Sequence, residues 1–372
     1  MKTIAFYLPQ FHAIPENDMM WGKGFTEWDN LKKAKPLFKG HYQPRIPLNN
    51  NYYNLLNDEV KKWQVELAKE YNINAFCFYH YWFDGKLLLE KPVEQFLQNT
   101  NLDLEFCLCW ANEAWTKAWV SKSDEVLYEQ NYGQEENWNR HFDYLLPFFK
   151  DSRYLKENNK PIFIIYRPEL IDCLNDMLNF FIRKAKEHGF DGMVFAYQQI
   201  EFDLMPNKDD SLFDYNIEYE PAYSMYEQRQ KTPSKNLLFN IGKKLDKCFM
   251  SFFNTTLSEY YLKKVRRLNY DYLWEINIKR IPNSKKNIPC VFVDWDNTPR
   301  RGTKGLVVEG ANPEKFKKFL DQKIYNIKRY YSTDYLFVFA WNEWAEGGYL
   351  EPDKRYGYGY LEAIKEVLEK HY

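Results

Sequence analysis

The sequence predicts an α/β fold with one domain, a (β/α)8 TIM barrel over residues 1–372. Short apolar runs alternate with helix-length amphipathic segments, which is typical of parallel βα units. Eight such runs are present, the number that a closed barrel needs. Polar and aromatic residues gather where these runs end, as they do at the mouth of a barrel enzyme. The length is compatible with one barrel that carries extra loops.

The predicted strands are short apolar runs bounded by polar or turn-forming residues. They occupy 4–8, 75–81, 105–110, 162–166, 193–197, 214–219, 290–294 and 336–341. The sixth run contains Tyr and Glu residues, and a loop is an equally good interpretation of it. Predicted helices occupy 58–71, 92–99, 135–149, 174–189, 313–331 and 360–370, where apolar residues recur at the helical period.

Residues 228–287 interrupt the pattern between strands six and seven, and we predict a basic helical insertion there. The segment contains 14 Lys and Arg residues against 4 Asp and Glu residues, interleaved with Phe and Tyr. One interpretation is peripheral docking to an anionic membrane surface or to a lipid-linked glycan. The other is a solvated helical face whose aromatic residues pack on the barrel.

Composition limits the partners of this protein. A net charge of -1, from 51 basic and 52 acidic residues, argues against nucleic acid as a partner. The aromatic share of 19% exceeds what a core requires, so some rings are expected to line a groove. The six Cys residues lack zinc-site spacing, and we expect reduced core thiols. Since no signal peptide or membrane span is recognisable, we expect a cytoplasmic location.

Candidate binding residues follow the carboxyl ends of the predicted strands, because these ends converge on the mouth of a barrel. Aromatic faces that stack on sugar rings, beside amide and carboxylate groups that bind hydroxyls, make a carbohydrate groove. The candidates are Tyr7, Gln10, His12, Glu27, Trp28, His80, Tyr81, Trp110, Asn112, Glu113, Trp115, Tyr166, Arg167, Asp294, Asp296, Trp341, Asn342 and Trp344. A single Trp of this kind is more often a core residue, but the coincidence at six strand ends favours binding for the set.

Glu343 and Glu346 are the candidate catalytic residues, because cleavage of a glycosidic bond generally needs two carboxyl groups. In an extended strand they would lie about 10 Å apart on opposite faces. In a helical turn they would share a face, with Cβ atoms about 5–6 Å apart. We therefore predict a turn directly after Asn342, and Gly347 and Gly348 suit a sharp bend there.

Other acidic residues leave alternatives open. Glu113 follows an Asn as Glu343 does, and it either binds a hydroxyl or serves as an acid/base itself. We place Glu27 at the rim of the site. Asp294 and Asp296 form an Asp-x-Asp run, for which hydroxyl binding or pairing with Arg300 or Arg301 is favoured over a divalent metal. We expect neither a metal nor a cofactor.

Several runs of the sequence resemble the WbsX-type family, which is also described as having a glycoside hydrolase family 99-like domain. These runs are FYLPQFH (6–12), WGKGFTEW (21–28), FYHYWF (78–83), CLCWANE (107–113), WDNTPRR (295–301) and AWNEWAEG (340–347). The resemblance extends over essentially the whole chain. It implies a (β/α)8 barrel and metal-independent, retaining chemistry of the endo-α-mannosidase type.

The resemblance also implies roles for the two glutamates. In family 99 the first Glu of a Glu-x-x-Glu run deprotonates the sugar 2-hydroxyl, which then attacks its own anomeric carbon. The second Glu is the general acid and later the base toward water. At the matching positions, Glu343 is the base and Glu346 the acid/base, and Glu346 is expected to hold a proton near neutral pH. Asn342 and Tyr166 are expected to bind sugar oxygens.

The functional hypothesis is therefore a retaining glycoside hydrolase that acts internally on an α-linked bacterial surface polysaccharide or its lipid-linked precursor, with an α-mannoside among the candidate substrates. Two alternatives come from different classes. One is a glycosyltransferase of O-antigen or capsule biosynthesis, and the other is a non-catalytic carbohydrate-binding barrel. The partner in each case is an oligo- or polysaccharide.

Overall fold

The computed structural model describes residues 1–116, 126–201, 209–231 and 265–372. Its centre is a parallel sheet in the order β7-β6-β5-β4-β3-β2-β1-β9-β8. The strands are β1 (Lys2–Tyr7), β2 (Ala75–Phe83), β3 (Glu105–Trp110), β4 (Lys160–Ile165), β5 (Val194–Gln199), β6 (Tyr215–Glu218), β7 (Asn287–Ile288), β8 (Cys290–Phe292) and β9 (Tyr335–Phe339). Each strand is mostly buried, because helices cover the outside of a parallel sheet.

The two ends of this strand order meet, so the sheet is a nearly closed barrel. β7 and β8 are separated in the chain only by Pro289. β7 pairs with β6 through Asn216 and Asn287, whereas β8 pairs with β9 through Cys290 and Phe337. Since proline has no N–H to donate, a break of the ladder at Pro289 is expected.

Helices connect the strands and form the outer layer. They are α1 (Pro15–Trp21), α2 (Glu27–Lys33), α3 (Asp58–Glu70), α4 (Lys91–Gln98), α5 (Glu135–Lys150), α6 (Leu174–Glu187), α7 (Ala222–Gln230), α8 (Tyr270–Lys279), α9 (Thr298–Arg301), α10 (Pro313–Tyr330) and α11 (Gly359–His371). Asn side chains cap α3, α8 and α10 by accepting a backbone N–H in the first turn.

Short strands and turns lie outside the barrel sheet. Lys86–Leu88 pairs antiparallel with β2, Lys156–Glu157 with β4, and Trp115–Thr116 with Val126–Tyr128. Arg266–Asn269 pairs with Leu306–Glu309, and Asn342–Glu343 with Gly348–Tyr349. Single 3-10 turns are found at Leu48–Asn50, Pro168–Leu170, Gly302–Lys304 and Trp344–Glu346.

Aromatic rings fill the barrel interior. The ring of Phe6 lies 5.7 Å from Tyr79, 5.4 Å from Tyr219 and 5.1 Å from Phe337, measured between ring centroids. Because successive strand residues point to opposite faces, Tyr7 points outward instead and packs on Phe78. This alternation decides which strand-end residues can reach the mouth of the barrel.

The structure confirms the α/β barrel class, and strands lie at all eight predicted runs, including the sixth. The seventh run differs from its predicted extent. It consists of β7 and β8, and β8 ends at Phe292, before Asp294.

The predicted insertion lies largely outside the described residues, which omit 232–264. Its described part is not purely helical, since the strand Arg266–Asn269 precedes α8. The membrane or lipid-carrier contact of this segment stays a prediction. So does the cytoplasmic location.

A buried charge cluster joins β6 to α7 and α8. The Arg280 guanidinium donates to Glu218 Oε2 at 3.1 Å, Glu220 Oε1 at 2.7 Å and Glu227 Oε2 at 2.7 Å. Burial raises the pKa of Glu220, and Arg280 opposes that shift. Arg280 thus balances several carboxylates in the interior, with Lys323 acting on the same group, and the removal of Arg280 would leave buried negative charge in excess.

We expect Arg280→Leu to lower the free energy of unfolding by about 3–5 kcal/mol at pH 7 in urea denaturation. The loss should be smaller at pH 5, because carboxylates without Arg280 have raised pKa values in the folded state and the stability they contribute falls as pH rises. Lys279→Leu is the matched control, because its ion pair with Glu275 is largely exposed, and its effect should stay within about 0.5 kcal/mol. Equal losses for the two variants would contradict a role of Arg280 as the balancing cation.

Candidate active site

A cavity of about 220 Å³ opens where the barrel strands end. Its wall combines aromatic rings with carboxylates and guanidinium groups, which suits a ligand that has both apolar faces and hydroxyls. The lining residues are Leu8, Tyr79, Tyr81, Ala111, Glu113, Trp115, Tyr166, Tyr219, Arg300, Arg301, Phe339, Glu343 and Glu346.

The turn predicted after Asn342 is present. Residues Trp344–Glu346 form a 3-10 turn, and Glu343 is its N-cap: a Glu343 carboxylate oxygen accepts the Glu346 backbone N–H at 3.2 Å. Gly347 ends the turn with a φ of 72°, a conformation that favours glycine. The two carboxyl groups therefore face the same cavity, although they are only three residues apart.

Arg300 holds three glutamates together at this point. Its Nε lies 3.1 Å from Glu27 Oε2, its Nη2 3.2 Å from Glu343 Oε1, and its Nη1 3.0 Å from Glu346 Oε1. The Nη2 group also donates to Gln10 Oε1 at 3.1 Å. Arg300 is carried by the short helix α9, which places its planar guanidinium between α2 and the turn Trp344–Glu346.

Burial raises the pKa of Glu343 to about 8, with Glu346 and Glu27 adding to the shift and Arg300 opposing it. One guanidinium compensates one of the three carboxylates around it, so a retained proton lowers the remaining charge. The Glu343 side chain is 3% exposed, whereas that of Glu346 is 21% exposed. The expectation of a proton on Glu346 stays a prediction, since the raised pKa belongs to Glu343.

The cavity wall contains a third acidic group, Glu113. The Arg167 Nη1 group lies 2.9 Å from Glu113 Oε1, and Arg167 also pairs with Glu169. Burial raises the pKa of Glu113, and Arg167 opposes the shift. Glu113 thus lies within reach of a ligand, and its ion pair favours hydroxyl binding over acid/base work.

A buried polar network holds the turn Trp344–Glu346 in place. The Asp296 backbone N–H donates to Glu346 O at 2.7 Å, and Arg45 Nη1 donates to Gly347 O at 3.3 Å. Arg45 also pairs with Asp294 at 2.8 Å. The Asp296 carboxylate accepts from the Thr298 N–H at 3.0 Å, so Asp296 ties α9 to the turn. The predicted pairing of Asp294 and Asp296 with Arg300 or Arg301 is therefore wrong.

The structure places the predicted site residues in three groups. Those that line the cavity are Tyr81, Glu113, Trp115, Tyr166, Glu343 and Glu346. Those that contact a lining residue through a side-chain hydrogen bond or ion pair are Gln10, Glu27, Arg167 and Asn342. The remaining ones lie outside the lining: Tyr7, His12, Trp28, His80, Trp110, Asn112, Asp294, Asp296, Trp341 and Trp344.

Strand alternation explains several of these misplacements. Tyr79 and Tyr81 face the cavity, so His80 between them faces α5, where its Nε2 lies 2.9 Å from that of His141. Burial lowers the pKa of His80 to about 3, which leaves it neutral. Trp110 points to the same side and donates to Trp82 O at 3.2 Å. The predicted set treated every strand-end residue as inward-facing.

Other predicted binding residues use the polar groups of their side chains for hydrogen bonds to the protein backbone. Asn342 accepts from the Leu8 N–H at 2.8 Å and donates to Leu8 O at 3.0 Å, so its amide fastens the end of β1. Its expected role as a sugar ligand is therefore wrong. The indole of Trp28 donates to Tyr53 O at 2.7 Å, and Asn112 holds the backbone of Arg167.

Arg300 was predicted only as a partner of the two aspartates and not as a site residue. The signal was its place in the run WDNTPRR, directly after a predicted strand. Leu8, Tyr79, Ala111, Tyr219, Arg301 and Phe339 were also missed as lining residues. Among the described residues, no group of His, Cys, Asp or Glu side chains is placed to hold a metal ion. The described helices also include none that could cross a membrane.

A profile of the family described as "Glycosyltransferase WbsX" matches residues 3–364. The chain belongs to this WbsX family. A curated relative, "Uncharacterized protein WxcX" from Xanthomonas campestris pv. campestris, is 34% identical over 372 residues, which cover 99% of this chain and 49% of the relative. The WbsX-family chain thus spans about half the length of the curated relatives it matches.

Solved structures share the fold of this WbsX-family protein. The GH99 endo-alpha-mannosidase from Bacteroides thetaiotaomicron aligns with a TM-score of 0.56 and 14% identity, over 99% of this chain and 96% of the other. A "Glycoside hydrolase-like protein" aligns with a TM-score of 0.59 and 12% identity, over 98% and 93%. The chain therefore shares the fold of these two proteins, whereas the family description names a transferase.

We expect a glutamate carboxyl group that titrates near pH 8 in ¹³C NMR of protein labelled at Glu Cδ, and its absence in Glu343→Gln. Glu346→Gln should lower this pKa, because it removes a neighbouring negative charge, and Arg300→Met should raise it. A Glu343 resonance that titrates near 4.5 in the wild-type protein would contradict the buried, charge-crowded site.

Proposed function

We propose that this WbsX-family protein is a retaining glycoside hydrolase that cleaves α-linked bonds inside a bacterial surface polysaccharide. The supporting observation is that Glu343 and Glu346 project from one 3-10 turn into an aromatic-lined cavity and share one guanidinium. Two carboxyl groups on one ligand cavity are the equipment that glycosidic cleavage requires.

In the proposed reaction Glu343 takes the proton of the sugar 2-hydroxyl, and the resulting oxygen attacks the anomeric carbon. Glu346 protonates the departing oxygen as its bond to that carbon breaks, which gives a 1,2-anhydro sugar. Water then opens this ring at the anomeric carbon and loses a proton to Glu346, while Glu343 returns its proton to the 2-oxygen. Two inversions at one carbon give net retention.

The different exposures of the two glutamates fit these roles. Glu343 is nearly enclosed, which suits a group that contacts only the bound sugar. Glu346 is more exposed, where a leaving glycan and an incoming water can reach it. Burial favours the protonated form of Glu343. A bound 2-hydroxyl that donates to Glu343 and a glycosidic oxygen that accepts from Glu346 would shift this proton toward Glu346.

The proposed substrate follows from the lining of the cavity and from a structurally similar protein. The rings of Tyr81, Trp115 and Tyr166 offer apolar faces to sugars, and Glu113 offers a hydroxyl acceptor. The structurally similar GH99 protein is described as an endo-alpha-mannosidase, which makes an α-mannoside the first substrate to test. A surface polysaccharide or its lipid-linked precursor remains the proposed polymer.

A glycosyltransferase is the second candidate, and the description of the family favours it. Donor use separates the two activities. A hydrolase raises reducing ends in a glycan when no nucleotide is present, whereas a nucleotide-sugar transferase releases nucleotide and lengthens an acceptor. A binding-only barrel would retain glycan affinity without turnover.

We expect Glu343→Gln and Glu346→Gln each to lower the hydrolysis rate by about 100 to 10,000-fold with nearly unchanged glycan binding. Reducing-end assays and product masses on a panel of α-mannans and bacterial polysaccharides would measure the rates, and titration calorimetry the binding. Glu366→Gln is the control, since this exposed residue lies on α11 away from the cavity. Undiminished rates in both site variants would overturn the assignment.

We expect kcat/KM to fall about tenfold per pH unit above about pH 8. The proposed reaction needs one proton on the Glu343 and Glu346 pair, and the pair loses it as pH rises through the raised pKa. Rates across the pH range would be compared with circular dichroism spectra, so that unfolding is not mistaken for titration. A rate that keeps rising through pH 8 would contradict the need for this proton.

A further inference from the structure

A second groove lies on the far side of the turn Trp344–Glu346. Its volume is about 440 Å³, against about 220 Å³ for the catalytic cavity. Trp344 lines the groove, while its chain neighbours Glu343 and Glu346 line the cavity. One turn therefore separates the two spaces and forms a wall of each.

Amide groups form one part of this groove. Asn49, Asn50 and Asn51 are consecutive, and all three are exposed. Within the described part of the chain, hydrogen bonds of this segment are made by its backbone, as in Asn50 N to Pro47 O at 3.0 Å. Asn49 and Asn50 both have a φ of 56°. The segment thus displays three uncharged donor and acceptor side chains toward solvent.

Aromatic rings form the other part. Tyr52 and Trp63 are half-buried and Tyr358 is exposed, so ring surface remains accessible in the groove. Tyr358 is backed by Tyr71, with a centroid distance of 6.1 Å and nearly parallel planes. Aromatic faces beside amides are the combination that sugar rings recognise, because the rings contact C–H surfaces while the amides bind hydroxyls.

Among the lining residues that the structure describes, the groove offers no free charge. Glu351 is the one charged residue of that set, and it is buried. Its carboxylate accepts from Gln64 Nε2 at 2.7 Å, Tyr53 Oη at 2.8 Å and Trp344 Nε1 at 2.7 Å. These bonds fix the indole of Trp344 and use the acceptor capacity of the carboxylate, so the groove favours a neutral ligand over an ionic one.

We propose that this groove is a second carbohydrate-binding site, which takes a neutral stretch of the polysaccharide that the catalytic cavity cleaves. The inference rests on the proposed function for the identity of the polymer, but the binding itself requires no turnover. A polysaccharide bound to Trp63 and to the amides of Asn49–Asn51 is held on the other side of the turn that carries Glu343 and Glu346. Tethering raises the local concentration of cleavable bonds at the cavity.

The test measures binding and turnover separately. Protein with ¹⁵N-labelled Trp is titrated with three probes: α-linked mannohexaose, isomaltohexaose and an anionic hexauronate. We expect either or both neutral probes to shift the Trp63 indole resonance and the hexauronate to leave it unmoved. Trp63→Ala should weaken binding of the matching neutral polymer about tenfold, the loss expected for one aromatic platform. It should leave kcat on short oligosaccharides unchanged.

A second variant guards against a folding defect. Asn49→Gly combined with Asn50→Gly removes two amides while keeping a backbone that tolerates positive φ, and it should weaken binding several-fold. The inference is overturned if no neutral probe moves the Trp63 indole, or if both variants bind polymer as the wild type does. Neutral-probe binding that persists in a protein without hydrolytic activity supports the inference and overturns only the proposed function.

Discussion

The arrangement of the active site depends on one guanidinium. Arg300 contacts Glu27, Glu343 and Glu346, and all four side chains are largely removed from water. Three carboxylates cannot gather in such a place without a cation, because each would carry a large desolvation penalty. Burial raises the pKa of Glu343 to about 8, the negative charges of Glu346 and Glu27 add to the shift, and Arg300 opposes it. The same contact thus bears on both the geometry and the acid–base state of the pair.

Arg300 can contact all three glutamates only because the scaffold fixes α9 and the turn Trp344–Glu346 relative to each other. Asp296 is the link: its backbone N–H binds the last carbonyl of the turn, and its carboxylate binds the first residue of α9. His41 and Gln43 occupy the remaining carboxylate oxygen at 2.8 and 2.7 Å. The Asp-x-Asp run resembles a metal motif in sequence. Its carboxylate oxygens already have hydrogen-bond partners within the protein, so the run has a structural role.

The sequence predicted the barrel because apolar runs and amphipathic segments alternate over the whole chain. It also predicted the turn after Asn342, because two acidic residues three positions apart share a face in a helical turn but not in an extended strand. It failed where the face of a strand decides the outcome. His80 and Trp110 are chain neighbours of Tyr79, Tyr81 and Ala111, which face the cavity. A single sequence does not show which residues of such an alternating run point inward. Arg300 was missed as a site residue because its partners are distant in sequence.

Charge also bears on the conflict between the family description and the fold. The cavity wall contains three carboxyl groups, those of Glu113, Glu343 and Glu346, against the guanidinium groups of Arg300 and Arg301, and glutamates already engage Arg300. A nucleotide diphosphate would bring two more negative phosphates into this space, at a large electrostatic cost. A neutral glycan donor brings none. In the proposed mechanism, transfer would use the same 1,2-anhydro intermediate, with a sugar hydroxyl in place of water at the step where Glu346 is the proposed base. Hydrolysis and transfer would then differ only in the acceptor that reaches the more exposed of the two carboxyl groups.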